Sequence, residues 1–188
     1  MPSTNYIIAA SLILLLGLGL VFLPDKDNHR EVQPLELLQE MQNDKRFISV
    51  DQLTEMMIEQ DPALVLVDVR DTASYAKFSL PGAINIPFTE IMSPDYDDYF
   101  KRKELEIVLY SNDHILSERA WMIKKRQDIH HIRILKGGLN QWTKDILLAE
   151  PPPDTAPAEA FDRYTFLLGA RKDFVGASGA FAPEAAEE

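Results

Sequence analysis

Residues Ala63 to Val69 read Ala-Leu-Val-Leu-Val-Asp-Val, an apolar run broken only by one carboxylate near its end. A strand with one wet face would alternate apolar and polar residues. A continuous run fits a strand buried on both faces, as in a parallel sheet covered by helices. Glu106–Tyr110 (Glu-Ile-Val-Leu-Tyr) reads as a second such strand, and Ala83–Ile86 and Ile132–Leu135 as shorter ones. Helical patterns lie between them. Ser49-Val50-Asp51-Gln52 is a capping-box sequence that opens a helix from Val50 to about Glu59. Asp71–Ala76 forms a short helix, and Ser93-Pro94-Asp95 offers an N-cap, a proline at the first helical position and an acidic first turn. Leu116–Arg126 is a helix with Ala120, Ile123 and Trp121 inward, and Gly137-Gly138 allows a sharp turn into a last helix carrying Leu139 and Trp142. Strand and helix alternate throughout, which predicts an α/β fold with a mainly parallel sheet.

Outward from this core, the N-terminus is of another character. Tyr6 to Leu23 are 18 consecutive residues without a charge, twelve of them Leu, Ile, Val or Phe. At ~0.3 to 0.6 kcal/mol each, these twelve favour a bilayer by roughly 4 to 7 kcal/mol. No Lys or Arg precedes the run, and it leaves through Phe22-Leu23-Pro24-Asp25 without a small-residue cleavage site. That favours a retained single-pass anchor over a cleaved signal peptide. Lys26 and Arg30 follow it, so the positive-inside rule points to a cytoplasmic C-terminal domain. Residues 1–24 are thus read as a transmembrane anchor and 25–46 as a juxtamembrane linker with a short helix over Leu35, Leu37, Leu38 and Met41. Residues 47–148 are read as the domain and 149–188 as a Pro-rich linker, an amphipathic helix and an acidic tail. In that last segment Thr155 is expected to cap a helix with Phe161, Tyr164 and Leu168 on one stripe, ending near Gly169. The cluster Phe161, Tyr164, Phe166, Leu167, Leu168 and Phe174 must cover either the domain's own surface or a partner's.

Composition excludes several functions. The formal net charge is -11, with no compensating basic face in the pattern, so nucleic acid is not an expected partner. The chain has no cysteine, which removes disulfides, thiolate metal sites and any sulfur nucleophile. The adjacent His130 and His131 diverge and find no third ligand in the pattern, so neither metal nor cofactor is implied. Arg119, Lys124, Lys125 and Arg126 read as a solvated helix face, able to meet acidic partners or anionic lipid.

Three stretches in order resemble the rhodanese family: Leu66-Val67-Asp68-Val69-Arg70, Leu80-Pro81-Gly82-Ala83-Ile84-Asn85-Ile86-Pro87 and Lys136-Gly137-Gly138-Leu139-Asn140-Gln141-Trp142. Asp68, Arg70, Pro81, Gly82, Gly137, Gly138 and Trp142 are the matching structural positions. The resemblance covers about Phe47 to Leu147 and implies a mostly parallel five-stranded sheet flanked by helices. It also implies that the strand ending at Tyr110 should lead into a catalytic cysteine, whose persulfide is wrapped by a six-residue loop of backbone N–H groups, often closed by an arginine. Here the loop is Ser111-Asn112-Asp113-His114-Ile115-Leu116, and the family's Gly-His before its second motif is replaced by Phe78-Ser79.

A serine hydroxyl is far less acidic than a thiol and cannot carry a persulfide. It can act as a nucleophile only with a positioned base. Asp113 and His114 are nearby in sequence, but neighbours in a tight loop point in different directions and do not form a linear relay. The simpler reading makes Ser111 and Asn112 turn residues, Asp113 a cap for the next helix and His114 a solvated side chain. No residue is assigned a catalytic role. The leading expectation is an inactive docking or accessory subunit of an integral-membrane protein, held to the bilayer through residues 6–23. The alternatives are weak binding of thiosulfate- or sulfite-like anions and a Ser111-dependent hydrolase.

Overall fold

A computed structural model describes residues 4–21 and 32–178. Chain contacts divide it into two units, residues 1–31 and 32–188. In the first, helix α1 spans Thr4–Val21, and its described large apolar side chains, Tyr6 through Leu18, are exposed. Among the described residues no helix is long and apolar enough to cross a membrane. The 18 residues of α1 rise about 27 Å, against a hydrocarbon core of about 30 Å. The single-pass span expected over Tyr6–Leu23 is therefore not seen, and its last two residues lie outside the described part.

The second unit is built on five parallel strands in the order β1-β5-β4-β2-β3, where β1 is Phe47–Ile48, β2 Leu64–Asp68, β3 Ile84–Asn85, β4 Glu106–Tyr110 and β5 Ile132–Leu135. β2 and β4 run in full register from Leu64 opposite Glu106 to Asp68 opposite Tyr110. Successive side chains go to opposite faces, as the pleat requires. Leu66, Val108, Tyr110 and Leu135 enter one core, and Val67, Ile107, Leu109 and Ile134 the other. Both faces are covered, which is why β2 and β4 read as unbroken apolar runs.

Helices α3 (Val50–Ile58) and α7 (Gly138–Trp142) contribute to the first core, and α5 (Asp97–Lys101) and α6 (Ile115–Arg126) to the second. The capping box at α3 is complete: Ser49 Oγ accepts from Gln52 N, and Gln52 Oε1 accepts from Ser49 N. Asp71 caps α4 (Thr72–Lys77) by accepting from Ser74 N. Ser93 caps a single 3₁₀ turn, Pro94–Tyr96, which leads into α5, so the helix expected there begins with tighter winding. The short helix expected over Leu35–Met41 is α2 (Pro34–Gln42), and it seats Leu37 and Met41 on the second core.

Two expectations are corrected. The tail helix α8 runs Ala158–Ser178, well past Gly169. Its inward stripe is Leu167, Ala170 and Phe174, while Phe161 and Phe166 stay exposed. Leu167, Ala170 and Phe174 join the first core beside Ile146, and the Phe174 ring lies 5.4 Å from that of Trp142. Burial of these groups on both sides of Gly169 outweighs its roughly 1 kcal/mol helix penalty. The second correction concerns α6. Lys124 is fully buried and Lys125 nearly so, not solvated. α2 packs across that helix with Glu40 paired to Lys125 at 3.2 Å, while Phe100 of α5 sets its ring centre 4.1 Å from the Lys124 ammonium.

Candidate functional site

The loop Ser111–Leu116 leaves the C-terminal end of β4 and runs into α6, the place where α/β sheets bind ligands. What holds it is read from its bonds. Ser111 is 2% exposed, and its Oγ donates to the Asp113 carbonyl. The Asp113 carboxylate accepts from Ile115 N at 2.8 Å. His114 stands at the N-cap of α6 with its ring edge-on to Phe47, at 6.2 Å between centroids. Ser111, Asp113 and His114 therefore share a loop without forming a relay. The hydroxyl is committed to a backbone acceptor, and no base bonds to it among the described residues.

The other side of the loop is closed by α7. Leu139 N donates to Ser111 O and Asn140 N to Asn112 O, at 2.8 and 2.9 Å. Gly137 and Gly138 both have positive φ, at 76° and 62°. A Cβ on Gly138 would stand 2.4 Å from the Asp113 carbonyl oxygen and 2.6 Å from that of Ser111. Only glycine meets both the left-handed backbone and the close approach. Gly137-Gly138 thus serves the loop as well as the turn, and Trp142, fully buried one turn on, anchors α7 in the first core.

The remaining motif residues meet beside the loop. Arg70 Nε donates to both Asp68 oxygens at 3.0 and 3.1 Å, and its Nη2 to Asp68 Oδ2 and the Phe78 carbonyl. Its Nη1 donates to Asn112 Oδ1 at 3.0 Å. One guanidinium so ties the end of β2, the segment after α4 and the loop together. The turn Leu80-Pro81-Gly82-Ala83 is closed by Ala83 N to Leu80 O, and Leu80 N donates to the Tyr110 hydroxyl at 3.1 Å. Burial, with the Asp68 carboxylate close by, pushes the Tyr110 phenol far above its usual pKa, so it stays a neutral donor and acceptor. The bond between Asn112 and Arg70 was not legible in the sequence: 42 residues separate the two, and Asn112 reads locally as a turn residue.

An anion entering the loop would meet the Asp113 carboxylate, which already takes the Ile115 N–H at the start of α6. The dipole of α6 offers roughly 0.3 to 1 kcal/mol to an anion, whereas a carboxylate about 5 Å away opposes it by ~1 to 3 kcal/mol. His130 Nε2 lies 2.9 Å from Asp128 Oδ1. Burial lowers the pKa of His131, against a hydrogen bond to the Phe100 backbone that raises it. No group of three or more His, Asp or Glu placed to hold a metal occurs among the described residues.

Residues 49–145, just over half of the chain, match the rhodanese-like domain. The chain belongs to the rhodanese-like family. Among curated proteins it is similar to an adenylyltransferase and sulfurtransferase MOCS3 of Drosophila yakuba, 33% identical over 132 residues, covering 65% of this chain and 26% of that protein. To its counterpart in Drosophila grimshawi it is 37% identical over 127 residues, with the same coverage. The chain thus spans about a quarter of the length of these relatives. Among solved structures it is similar to a rhodanese-related protein of Thermoplasma volcanium, with 22% identity and a TM-score of 0.46 over 53% of this chain and 92% of the other. A Bacillus halodurans protein matches with 23% identity and a TM-score of 0.49 over 60% and 82%. Within the rhodanese-like family, this chain keeps the five-stranded scaffold and has no cysteine.

Proposed function

We propose that this rhodanese-like chain is a catalytically inert module, attached to a membrane through its N-terminal apolar segment, that acts as a docking or accessory subunit of a membrane protein. The observation that carries the reading is Ser111 where the resemblance calls for cysteine, with its hydroxyl bonded to the Asp113 carbonyl. Persulfide chemistry needs a polarisable atom that is anionic near neutral pH, and the chain supplies none. The surrounding scaffold is nonetheless fully braced, by Arg70 on one side of the loop and Gly138 on the other. A braced scaffold without a reactive atom fits binding better than turnover. Membrane attachment draws on the uncharged run Tyr6–Leu23, two residues longer at its end than α1. The exposed Phe161 and Phe166 of α8 are available to a partner.

The purified full chain is expected to show no thiosulfate:cyanide sulfurtransferase activity above a heat-killed control, and to co-purify in mild detergent with an integral-membrane protein at fixed stoichiometry. Turnover that is abolished by Ser111→Ala would overturn the inert reading and bring forward the hydrolase.

A further inference from the structure

The far end of the sheet from the Ser111 loop carries a cleft of about 630 Å³. Ala63, Glu106 and Ile132 line it, where the chain enters β2, β4 and β5. Because these strands are parallel, the cleft and the loop stand apart by the length of β4, roughly 15 Å.

The electrostatics of the cleft run against those of the chain. Lys45, Arg46, Lys103, Lys125 and Arg133 line it, in a chain of net charge -11. Its three carboxylates are all engaged: Glu40 by Lys125 at 3.2 Å, Glu104 by Arg102 at 3.0 Å and Glu106 by Arg133. Lys45 and Lys103 are exposed and form no ion pair among the described residues. Three lining residues also carry a buried nitrogen with no hydrogen-bond partner among the described residues: Arg46 Nε, Arg133 Nε and His131 Nε2. Buried donors without partners are rare and call for an explanation. Guanidinium and ammonium donors on one concave surface match an oxyanion with several acceptor oxygens.

We propose that this cleft binds a small molecule bearing two or more phosphate groups, with Lys45 and Lys103 as its free cations on a wall that also carries the ion-paired Arg46 and Arg133. The volume lies in the range of small-molecule sites, well beyond one inorganic phosphate. The acidity of the chain as a whole repels an extended polyanion such as nucleic acid, which leaves a compact ligand.

The test is calorimetric titration of tripolyphosphate into the full chain, held in a neutral detergent at constant ionic strength. Lys45→Gln with Lys103→Gln is expected to weaken binding at least about tenfold, because two charge-assisted contacts are lost. Both side chains are exposed and unpaired, so the fold survives, which a thermal melt of the variant verifies. The charge-matched control, Lys144→Gln with Lys172→Gln, stays within about twofold of wild type, since neither residue reaches the cleft. Phosphatidylcholine vesicles doped with a polyphosphorylated headgroup separate the two sources of such an anion. Vesicle binding with the same lysine dependence assigns the phosphates to a lipid, and binding of free tripolyphosphate alone assigns them to a soluble molecule. Equal affinity in the Lys45/Lys103 variant, or no binding of either probe, overturns the proposal and leaves the reading of the Ser111 loop untouched.

Discussion

At the scale of single residues, the loop and the buried lysine make opposite demands on charge. Restoring the family's thiol by Ser111→Cys places a group of ordinary pKa about 8.5 next to Asp113, whose carboxylate disfavours a thiolate. We expect Ser111→Cys alone to stay about a hundredfold or more below a variant that adds Asp113→Gly and Leu116→Arg, by thiosulfate:cyanide turnover. Robust activity in the single variant would show that the cradle is intact as it stands. Lys124 presents the reverse case. Its ammonium is buried with no hydrogen-bond partner among the described residues, over the Phe100 ring. Burial lowers its pKa, against the pull of Asp97. With the folded pKa below the unfolded one, the unfolded chain binds the extra proton. The destabilisation is therefore complete below the depressed pKa and fades as pH rises through it toward the unfolded value of about 10.4. Lys124→Met keeps the length and drops the charge. It should stabilise the chain at pH 7 by about 1 kcal/mol, raising Tm by about 2 to 4 °C, with the gain shrinking in alkaline melts. A lower Tm at pH 7 would mean that the cation–π contact outweighs desolvation.

At the scale of elements, α8 is the part that local sequence rules mislead most. Gly169 reads as a helix stop, and Phe161, Tyr164 and Leu168 as the buried stripe. Packing chose Leu167, Ala170 and Phe174 instead, a stripe rotated by about one residue and continued through the glycine. Arg163 reinforces the seat with a two-pronged bond to Asp51, at 2.7 and 2.8 Å, and a third bond to Asp145 at 3.0 Å. Phe174→Ala should therefore cost about 3 kcal/mol or more in chemical denaturation, since it leaves Trp142 facing a void. Phe161→Ala, on the exposed side, should stay within ~0.5 kcal/mol. Equal effects at both positions would reverse the assignment of faces. β1 was missed for a related reason: two residues, Phe47–Ile48, cannot display a period, and they become a strand only by pairing with Ile134 and Leu135. β2 and β4 were legible because burial on both faces writes itself as a run of Val, Leu and Ile. Of the site, the order of loop residues and the cap by Asp113 were legible. The Arg70–Asn112 bond, the pairing of Glu40 in α2 with Lys125 and the basic cleft were not, because each joins residues from distant segments that carry no mutual signal until the sheet forms.

At the scale of the whole molecule, the charge distribution decides how membrane attachment is to be tested. Residues 32–188 form a unit with cores on both faces of its sheet, and they hold nearly all of the chain's acidic groups. A domain of that sign is repelled by an anionic leaflet, so electrostatic adsorption does not account for membrane retention. Any retention must come from apolar contact, to which salt is indifferent. We expect the full chain to remain with membranes through high salt and alkaline carbonate, and a chain beginning at Val32 to be released and to melt cooperatively with both cores intact. Since α1 alone falls a few ångströms short of a bilayer's hydrocarbon core, the proposed attachment rests on the uncharged run of the sequence continuing through Phe22 and Leu23. Phe22→Lys with Leu23→Lys should weaken retention, each charge opposing insertion by up to ~3 kcal/mol at the centre and less near the interface. Mass spectrometry of the native N-terminus settles the competing origin of the segment. A mature chain starting after Leu23, or full release of the intact chain by carbonate, would overturn the proposed anchor and leave the docking proposal to rest on the rhodanese-like domain alone.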